Sequence, residues 1–197
     1  MTPAARHGSE PRNAWLAEAA RVDLAVYRAV SETPTPHLDK AMSRLSNAAN
    51  YSRLSIAAAA LLATTGGPRG RQAARSGLTA LAATATVVNV IVKPIGRRRR
   101  PERPDTPVTS GRTVRMPASR SFPSGHTAGA VAFASGVSRV LPLAGVPLHL
   151  LATLVGYSRV HTGVHYPGDV VAGAAIGAVI GGLTAKPSVA YESPDPG

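Results

Sequence analysis

The sequence lacks cysteine entirely and contains few aromatic residues. The absence of cysteine excludes disulfides, thiolate metal ligands and a thiol nucleophile. Aromatic residues make up 4% of the chain although hydrophobic residues make up 44%, so alanine, valine, leucine and isoleucine supply most of the apolar mass. Soluble cores of this size normally use more aromatic side chains, whereas small aliphatic residues suit helices that pack closely in a bilayer.

The first fifteen residues also lack the apolar core of a signal peptide. We therefore expect any membrane insertion to depend on internal segments of the chain.

Negative charge is scarce, with 10 acidic residues against 22 lysines and arginines, a formal net charge of +12. Nucleic acid, anionic lipid or a phosphorylated substrate would each suit such a charge. Almost no aromatic residues are interleaved with the basic ones, which argues against a single-stranded nucleic-acid site. We expect no nucleic-acid partner.

Five segments of 15 to 19 residues carry no acidic or basic side chain other than histidine: 54–68, 76–92, 121–138, 140–158 and 170–185. Each falls just short of the ~20 residues that a full membrane span requires, and each can lengthen into its flanks. The pattern predicts an all-α, polytopic transmembrane bundle of about five spans. The alternative is a soluble bundle of buried helices.

Residues 14–50 predict amphipathic helices that are interfacial or re-entrant, with a break at the Thr-Pro-Thr-Pro run of residues 33–36. We expect disordered tails at 1–13 and 187–197, and a catalytic transmembrane domain over 51–186. Gly173, Gly177 and Gly181 lie on one helical face, which favours close packing within the bundle over a dimer contact.

Polar residues interrupt the apolar segments at ends that the back-and-forth topology brings to one membrane face. Such positions in membrane helices have a functional role by default. In chain order, the side chains that converge there are Lys93, Ser124, His126, Arg159, His165 and Asp169.

Lys93 closes one span and is followed by four arginines ending at Arg100, a pattern that suits phosphate binding or, alternatively, an anionic-lipid patch. Ser124 and Gly125 open a helix whose free backbone N–H groups bind anions. His126, one turn inside, is suited to protonate a leaving oxygen.

Asp169 follows His165 by four residues and can accept one ring N–H, so that the other nitrogen points outward as a nucleophile. A rival interpretation makes His161, His165 and Asp169 metal ligands on one helical face. Gly163 and the Pro167–Gly168 pair argue against a regular helix through all three.

These residues resemble the three-part signature of the type 2 phosphatidic acid phosphatase superfamily. Lys93, Arg100 and Pro101 match Lys-x6-Arg-Pro, and residues 123–126 match Pro-Ser-Gly-His. The third part, Ser-Arg-x5-His-x3-Asp, is matched by Ser158, Arg159, His165 and Asp169. The resemblance covers roughly residues 50–185.

The resemblance implies a helical membrane phosphatase that needs neither metal nor other cofactor. His165 would form a phosphohistidine, Asp169 would orient it, and His126 would protonate the leaving alkoxide and then activate water. The phosphate oxygens would be held by Lys93, Arg100, Ser124, Gly125 and Arg159. His161 and residues 97–99 are not signature positions and would supply supporting charge, with a second anionic group as one possible ligand.

The short spans and arginine-rich loop look similar to the actinobacterial branch that includes phosphatases of decaprenylphosphoryl-5-phosphoribose, a precursor of cell-wall arabinan. That resemblance implies a multi-pass protein of the bacterial plasma membrane with membrane lipids as partners. Alternatives are a polyprenyl diphosphate or phosphatidate phosphatase, and a non-enzymatic protein that binds anionic lipid. The sequence does not indicate an oligomeric state. Positive charge favours a cytoplasmic active site, whereas the family resemblance favours an outward one.

Overall fold

The computed structural model describes residues 14–103 and 111–184, and within these ranges the chain is all-helical with no strand. Two N-terminal helices, α1 (Ala14–Glu32) and α2 (Pro36–Ala48), precede a 3₁₀ turn at Asn50–Ser52. The remaining helices are α3 (Arg53–Thr65), α4 (Gly67–Thr86), α5 (Gly125–Ser138), α6 (Pro142–His161) and α7 (Pro167–Thr184). The predicted helical fold is therefore confirmed for the described residues.

Helix α4 does not stop at Thr86 but continues as a π-helix over Val87–Val92 and a last α-turn over Lys93–Ile95. π-Helical turns are rare and occur frequently at functional sites. This wider winding precedes Lys93 directly, so it sets the direction in which the end of α4 presents the lysine.

Helix α5 lies at the centre of the bundle and packs against α4, α6 and α7. Its contact with α7 depends on small residues. A Cβ atom on Gly173, Gly177 or Gly181 would lie within 2.8 Å of a backbone oxygen of α5. The predicted glycine face thus brings the two backbones together inside one chain, as small residues do between membrane helices.

Three helices of the described part are long and apolar enough to cross a bilayer: Gly67–Ile95, Pro142–His161 and Pro167–Thr184. Two further predicted spans form shorter helices, since α3 has 13 residues and α5 has 14. At 1.5 Å per residue, a 14-residue helix extends only about 21 Å, less than the ~30 Å hydrocarbon core. Three of the predicted spans thus reach full length, and the total number of spans stays a prediction.

The outer surface of the bundle is apolar. Leu143 on α6 and Leu183 on α7 are 89% and 81% exposed, and Val90 at the end of α4 is 68% exposed. Large aliphatic side chains pointing outward from long apolar helices suit contact with lipid, and they argue against the soluble-bundle alternative.

The N-terminal helices break where the sequence predicts, because α1 ends at Glu32 and α2 begins at Pro36, a residue favoured in the first turn. Helix α2 packs on α6, and α1 packs on α6 and α7. The predicted tails, residues 1–13 and 187–197, lie outside the described residues.

Candidate active site

His165 lies in the turn between α6 and α7. Gly163 adopts a left-handed conformation (φ 65°), which reverses the chain after α6, and Pro167 starts α7. Asp169, in the first turn of α7, accepts a hydrogen bond from Nδ1–H of His165 over 3.4 Å. Both side chains are buried. The sequence predicted this pair. With the hydrogen on Nδ1, Nε2 of His165 is the ring nitrogen that carries the lone pair.

Burial lowers the pKa of His165 to about 4, although the hydrogen bond to Asp169 acts in the opposite direction. Arg100 and Arg159 add positive charge that also lowers this pKa. Because the shift is downward, the imidazole is neutral at pH 7, which is the form that can act as a nucleophile.

Asp169 is held by more partners than His165. Its Oδ2 accepts hydrogen bonds from the Ser121 hydroxyl and, over 3.0 Å, from the Tyr166 backbone N–H. Its Oδ1 pairs with Arg98 over 3.1 Å. These contacts satisfy both carboxylate oxygens and fix the orientation of the carboxylate.

Arg98 links this carboxylate to α1. Its guanidinium also pairs with Asp23 and lies 4.0 Å from the centre of the Tyr166 ring. Asp23 in turn accepts a hydrogen bond from the Gly168 backbone N–H over 2.7 Å. The sequence grouped Arg98 with its neighbours as supporting charge and gave no signal for Asp23 or Ser121.

Arg100 lies on the other side of the His165 ring. Its Nη1 is 3.3 Å from Nε2 of His165 and donates to the Val164 carbonyl over 2.8 Å. Its Nε donates to the Ser119 carbonyl over 2.8 Å. Two loops thus hold the guanidinium beside the outward nitrogen of His165, where a phosphoryl group bound to that nitrogen would also meet a cation.

The start of α5 brings Gly125 to Lys93. A Cβ atom on Gly125 would lie 3.4 Å from the Lys93 ammonium, so the glycine lets that cation approach the first turn of the helix. The unpaired backbone N–H groups of a helix N-terminus favour an anion at the same place.

Ser124 differs from the expectation. Its hydroxyl is fully buried, caps α5 by accepting from the Thr127 N–H over 3.4 Å, and shares a hydrogen bond with the Thr127 hydroxyl. Its backbone N–H donates to the Asp169 carbonyl over 2.9 Å. The side chain therefore begins α5, because N-capping satisfies an otherwise unpaired N–H, and the backbone N–H joins this helix start to α7.

Arg159, near the end of α6, is 1% exposed. Its Nη1 donates to the backbone oxygen of Ser46 over 3.0 Å and to the Ser46 hydroxyl over 2.7 Å. Its Nε is buried and has no hydrogen-bond partner within the part of the chain that the structure describes. A buried guanidinium with an unused N–H is suited to an anionic ligand.

His126 lies one residue into α5 and is only partly buried. Its Nε2–H donates to the Oδ1 of Asn50 over 3.0 Å. Together with Lys93 and Gly125 it lines a cavity of about 160 Å³, whose other walls include Leu81, Val88 and Asn89 of the α4 helix. The cavity thus runs from charged groups toward the apolar residues of a candidate span.

His161, the third histidine of the rival metal site, is directed elsewhere. Its Nε2–H donates to Asp39 over 2.9 Å, and Arg112 pairs with the same carboxylate oxygen. Helix α6 ends at His161 and α7 begins at Pro167, so the three candidate ligands do not share a helix. No group of three or more histidine and carboxylate side chains suited to a metal ion occurs in residues 14–103 and 111–184.

A wide recess of about 570 Å³ lies beside the site and is lined by arginines: Arg97, Arg98, Arg99, Arg100 and Arg120. Arg97 and Arg99 are exposed and form no ion pair with a described residue. The arginines of the recess create a positive field beside the site, and this field attracts anions.

Comparison with known proteins gives consistent matches. The family model of the PAP2 superfamily matches residues 74–189. A lipid A 1-phosphatase of Rhizobium johnstonii is 43% identical over 68 residues, which are 34% of this chain and 28% of that protein. A decaprenylphosphoryl-5-phosphoribose phosphatase of Mycobacterium tuberculosis is 37% identical over 93 residues, 47% of this chain and 49% of that protein. The matched part of the chain thus spans half or less of the length of these relatives.

A crystal structure of Aquifex aeolicus LpxE superposes with a TM-score of 0.65 at 27% identity, covering 83% of this chain and 94% of that one. Because the superposition covers most of both chains, the similarity extends to the overall fold.

Proposed function

The chain belongs to the PAP2 superfamily, and from this premise we propose that it is an integral-membrane phosphatase that hydrolyses a phosphate monoester on a lipid-linked substrate. One observation carries the proposal. His165 donates from Nδ1 to a buried carboxylate and presents a neutral Nε2 beside the guanidinium of Arg100. A nucleophilic imidazole that attacks phosphorus needs this arrangement.

In the first step the Nε2 lone pair of His165 attacks phosphorus, and the bond from phosphorus to the leaving oxygen breaks. His126 gives its proton to that oxygen, so the lipid leaves as a neutral alcohol and a phosphohistidine remains. In the second step His126 takes a proton from water, the resulting hydroxide displaces His165 from phosphorus, and inorganic phosphate is released. The two histidines therefore act from opposite sides of the phosphorus.

The charge that spreads over the three non-bridging oxygens in each transition state requires several donors. Arg100, Arg159 and Lys93 supply cations, and Gly125 at the start of α5 supplies backbone N–H groups. Ser124 contributes by capping that helix start, where its hydroxyl is already engaged. No metal ion has a part in this scheme.

The leaving group occupies the cavity beside His126 in our proposal. Its walls combine Lys93 and Asn89 with the apolar side chains of α4, so a polar headgroup joined to a hydrocarbon chain fits its chemistry. The similarity to the Mycobacterium tuberculosis phosphatase supports a polyprenylphosphoryl phosphoribose as the substrate and the bacterial plasma membrane as the location. A polyprenyl diphosphate and a phosphatidate are the alternative substrates.

The proposal is tested by phosphate release from detergent-purified protein in the presence of EDTA. A polyprenylphosphoryl phosphoribose, a polyprenyl diphosphate and a phosphatidate are compared, each with wild type and His165→Ala. We expect release by wild type alone, fastest from the first lipid. Release by a folded His165→Ala protein would contradict the assigned nucleophile. No release from any lipid would favour an anionic-lipid-binding protein, and activity restored by a divalent ion would favour the rival metal site.

A further inference from the structure

One face of the N-terminal segment carries a row of polar side chains, at spacings of four, three and four residues. Residues with this spacing lie on the same side of a helix. The row faces inward, since two of its members, Asp39 and Ser46, are buried although α2 lies on the outside of the bundle. Its members are Asp39, Ser43, Ser46 and Asn50.

The row contacts residues around the candidate site in order along the helix. Asp39 accepts from His161, and Ser46 accepts from Arg159. Asn50, the last member, accepts from His126. Ser43 instead donates to the Gly111 carbonyl, over 3.4 Å at an exposed position. The second half of the row therefore supports groups that the proposed reaction uses.

The contact between Asn50 and His126 defines the role of each ring nitrogen. The Oδ1 of an asparagine only accepts hydrogen bonds, so the ring nitrogen 3.0 Å away, Nε2 of His126, carries a hydrogen. That nitrogen is thereby occupied, and Nδ1 is the nitrogen left to exchange a proton with the substrate. A histidine without such a partner can rotate or change tautomer, which would remove the proton from the reacting side.

The backbone after Asn50 holds the amide in place. Tyr51 and Ser52 both adopt left-handed conformations, with φ of 57° and 56°. Two successive residues other than glycine in this region are strained and persist only where the surroundings enforce them. The turn redirects the chain from α2 into α3 while it keeps Asn50 against α5, so the strained segment and the contact with His126 coincide.

An amide also suits the two tasks of His126 better than a carboxylate would. His126 gives up a proton in the first step and takes one in the second, so neither protonation state is to be strongly favoured. An aspartate would stabilise the imidazolium strongly, as carboxylates do beside histidine. The nucleophile differs, because it stays unprotonated between steps and has the carboxylate of Asp169 on its Nδ1–H.

We propose that Asn50 is a positioning residue for the proton transfers at the leaving oxygen and at water, acting through Nε2 of His126. This inference rests on the proposed function, and it assigns to the N-terminal segment a part in the chemistry. Asn50 itself does not contact the phosphate.

The test compares Asn50→Ala with wild type on two phosphomonoesters that carry the same alkyl chain. One has an alkoxide leaving group, which needs a proton, and the other has a nitrophenolate, which leaves without one. We expect Asn50→Ala to slow the first chemical step by about 10- to 100-fold for the alkyl ester, within the range of a partly disabled general acid. The initial burst of nitrophenolate should keep its wild-type rate within about twofold, since that step depends on His165.

Three controls separate positioning from a general loss of structure. Ser43→Ala, in the same row, should behave as wild type on both esters. Asn50→Asp, which keeps the acceptor, should retain the first step with the alkyl ester and move the alkaline limb of its pH–rate profile upward. In the background of His126→Ala, Asn50→Ala should cause no further loss. If Asn50→Ala does not fold, the test depends on the pH–rate profile of Asn50→Asp with the alkyl ester.

Equal losses on both esters, or none on either, would overturn the role of Asn50. An alkaline limb of the pH–rate profile that does not move upward in Asn50→Asp would also overturn this role. Wild-type protein that hydrolyses neither ester would contradict the proposed function itself, which distinguishes that failure from a failure of this inference.

Discussion

The two histidines of the site have different surroundings. His165 is 2% exposed, and its partner Asp169 is fully buried and bound by Ser121, Arg98 and the Tyr166 backbone. His126 lies at the wall of a cavity, and its ring partner is the neutral amide of Asn50. The first pocket is rigid and ionic, whereas the second is polar and adjoins the apolar α4 helix.

This difference follows from the tasks that we propose for the two rings. A nucleophile keeps one tautomer throughout the reaction, so a fixed carboxylate is an advantage. A group that gives and then takes a proton requires both protonation states, and the leaving lipid requires space beside it. The sites of the two rings are consequently built from different parts of the chain. The His165 site comes mainly from the turn between α6 and α7 and from the segment between α4 and α5. The His126 site comes from α4, α5 and the N-terminal segment.

The largest expected effect is at His165. His165→Ala removes the nucleophile and should abolish phosphate release, since no other described side chain presents a free imidazole nitrogen beside Arg100. Steady-state phosphate release measures this effect. His149→Ala is the matched control, because His149 lies in α6 and pairs with Ser135 and the Gly145 carbonyl away from the site. Comparable activity in the two variants would contradict the assignment.

Asp169→Asn should cause the next largest loss, about 100-fold or more, because an amide no longer fixes the tautomer and orientation of His165. The loss should be the same for alkyl and nitrophenyl esters, in contrast to Asn50→Ala. Single-turnover rates with both esters measure it. A loss confined to the alkyl ester would show that Asp169 acts on the leaving group. The proposed separation of tasks, with nucleophilic attack at His165 and proton transfer at His126, would then be wrong.

Arg98→Gln should lower kcat by about tenfold, as expected when a supporting hydrogen bond to a catalytic group is lost. The reason is that Arg98 joins Asp169 to Asp23 of α1. Arg97→Gln, its neighbour, is the control and should change kcat little, since Arg97 is exposed and makes no ion pair with a described residue. Equal effects at both positions would indicate that only the positive field of the recess matters.

The smallest effect concerns protonation without any mutation. Burial lowers the pKa of His165 to about 4, so its ring should stay neutral as the pH falls through 6.5 and should become charged only near pH 4. Ring ¹⁵N chemical shifts, assigned by their loss in His165→Asn, measure the midpoint. A midpoint at or above the ordinary value near 6.5 would show that the ring is not desolvated.

The sequence predicted which polar residues would lie at helix ends, because these residues interrupt or flank uncharged stretches. It also predicted that no regular helix would run through Gly163 and Pro167, and that Gly173, Gly177 and Gly181 would contact another helix closely. These features depend on local chemistry, that is, on helix length, backbone conformation and side-chain size.

Other features depend on tertiary contacts that no spacing reveals. Asn50, Ser46 and Asp23 are polar residues in amphipathic helices, where polar side chains most often face water. Their partners are 76 to 145 residues away in the chain. The hydroxyl of Ser124 was expected at the phosphate, and no spacing showed that it would also cap α5. The number of spans stays a prediction, since three helices reach the length of a full span whereas α3 and α5 have 13 and 14 residues.

The most direct test of the account is detection of the phosphoenzyme. Wild-type protein mixed with a ³²P-labelled lipid phosphomonoester is quenched within milliseconds to seconds, and protein-bound label is measured after acid and after alkali. We predict a bound phosphate that survives alkali and is lost in acid, as a phosphohistidine is, absent in His165→Ala and present in His149→Ala. Label that is absent from wild type during turnover, or that persists in His165→Ala, would contradict a covalent mechanism at His165.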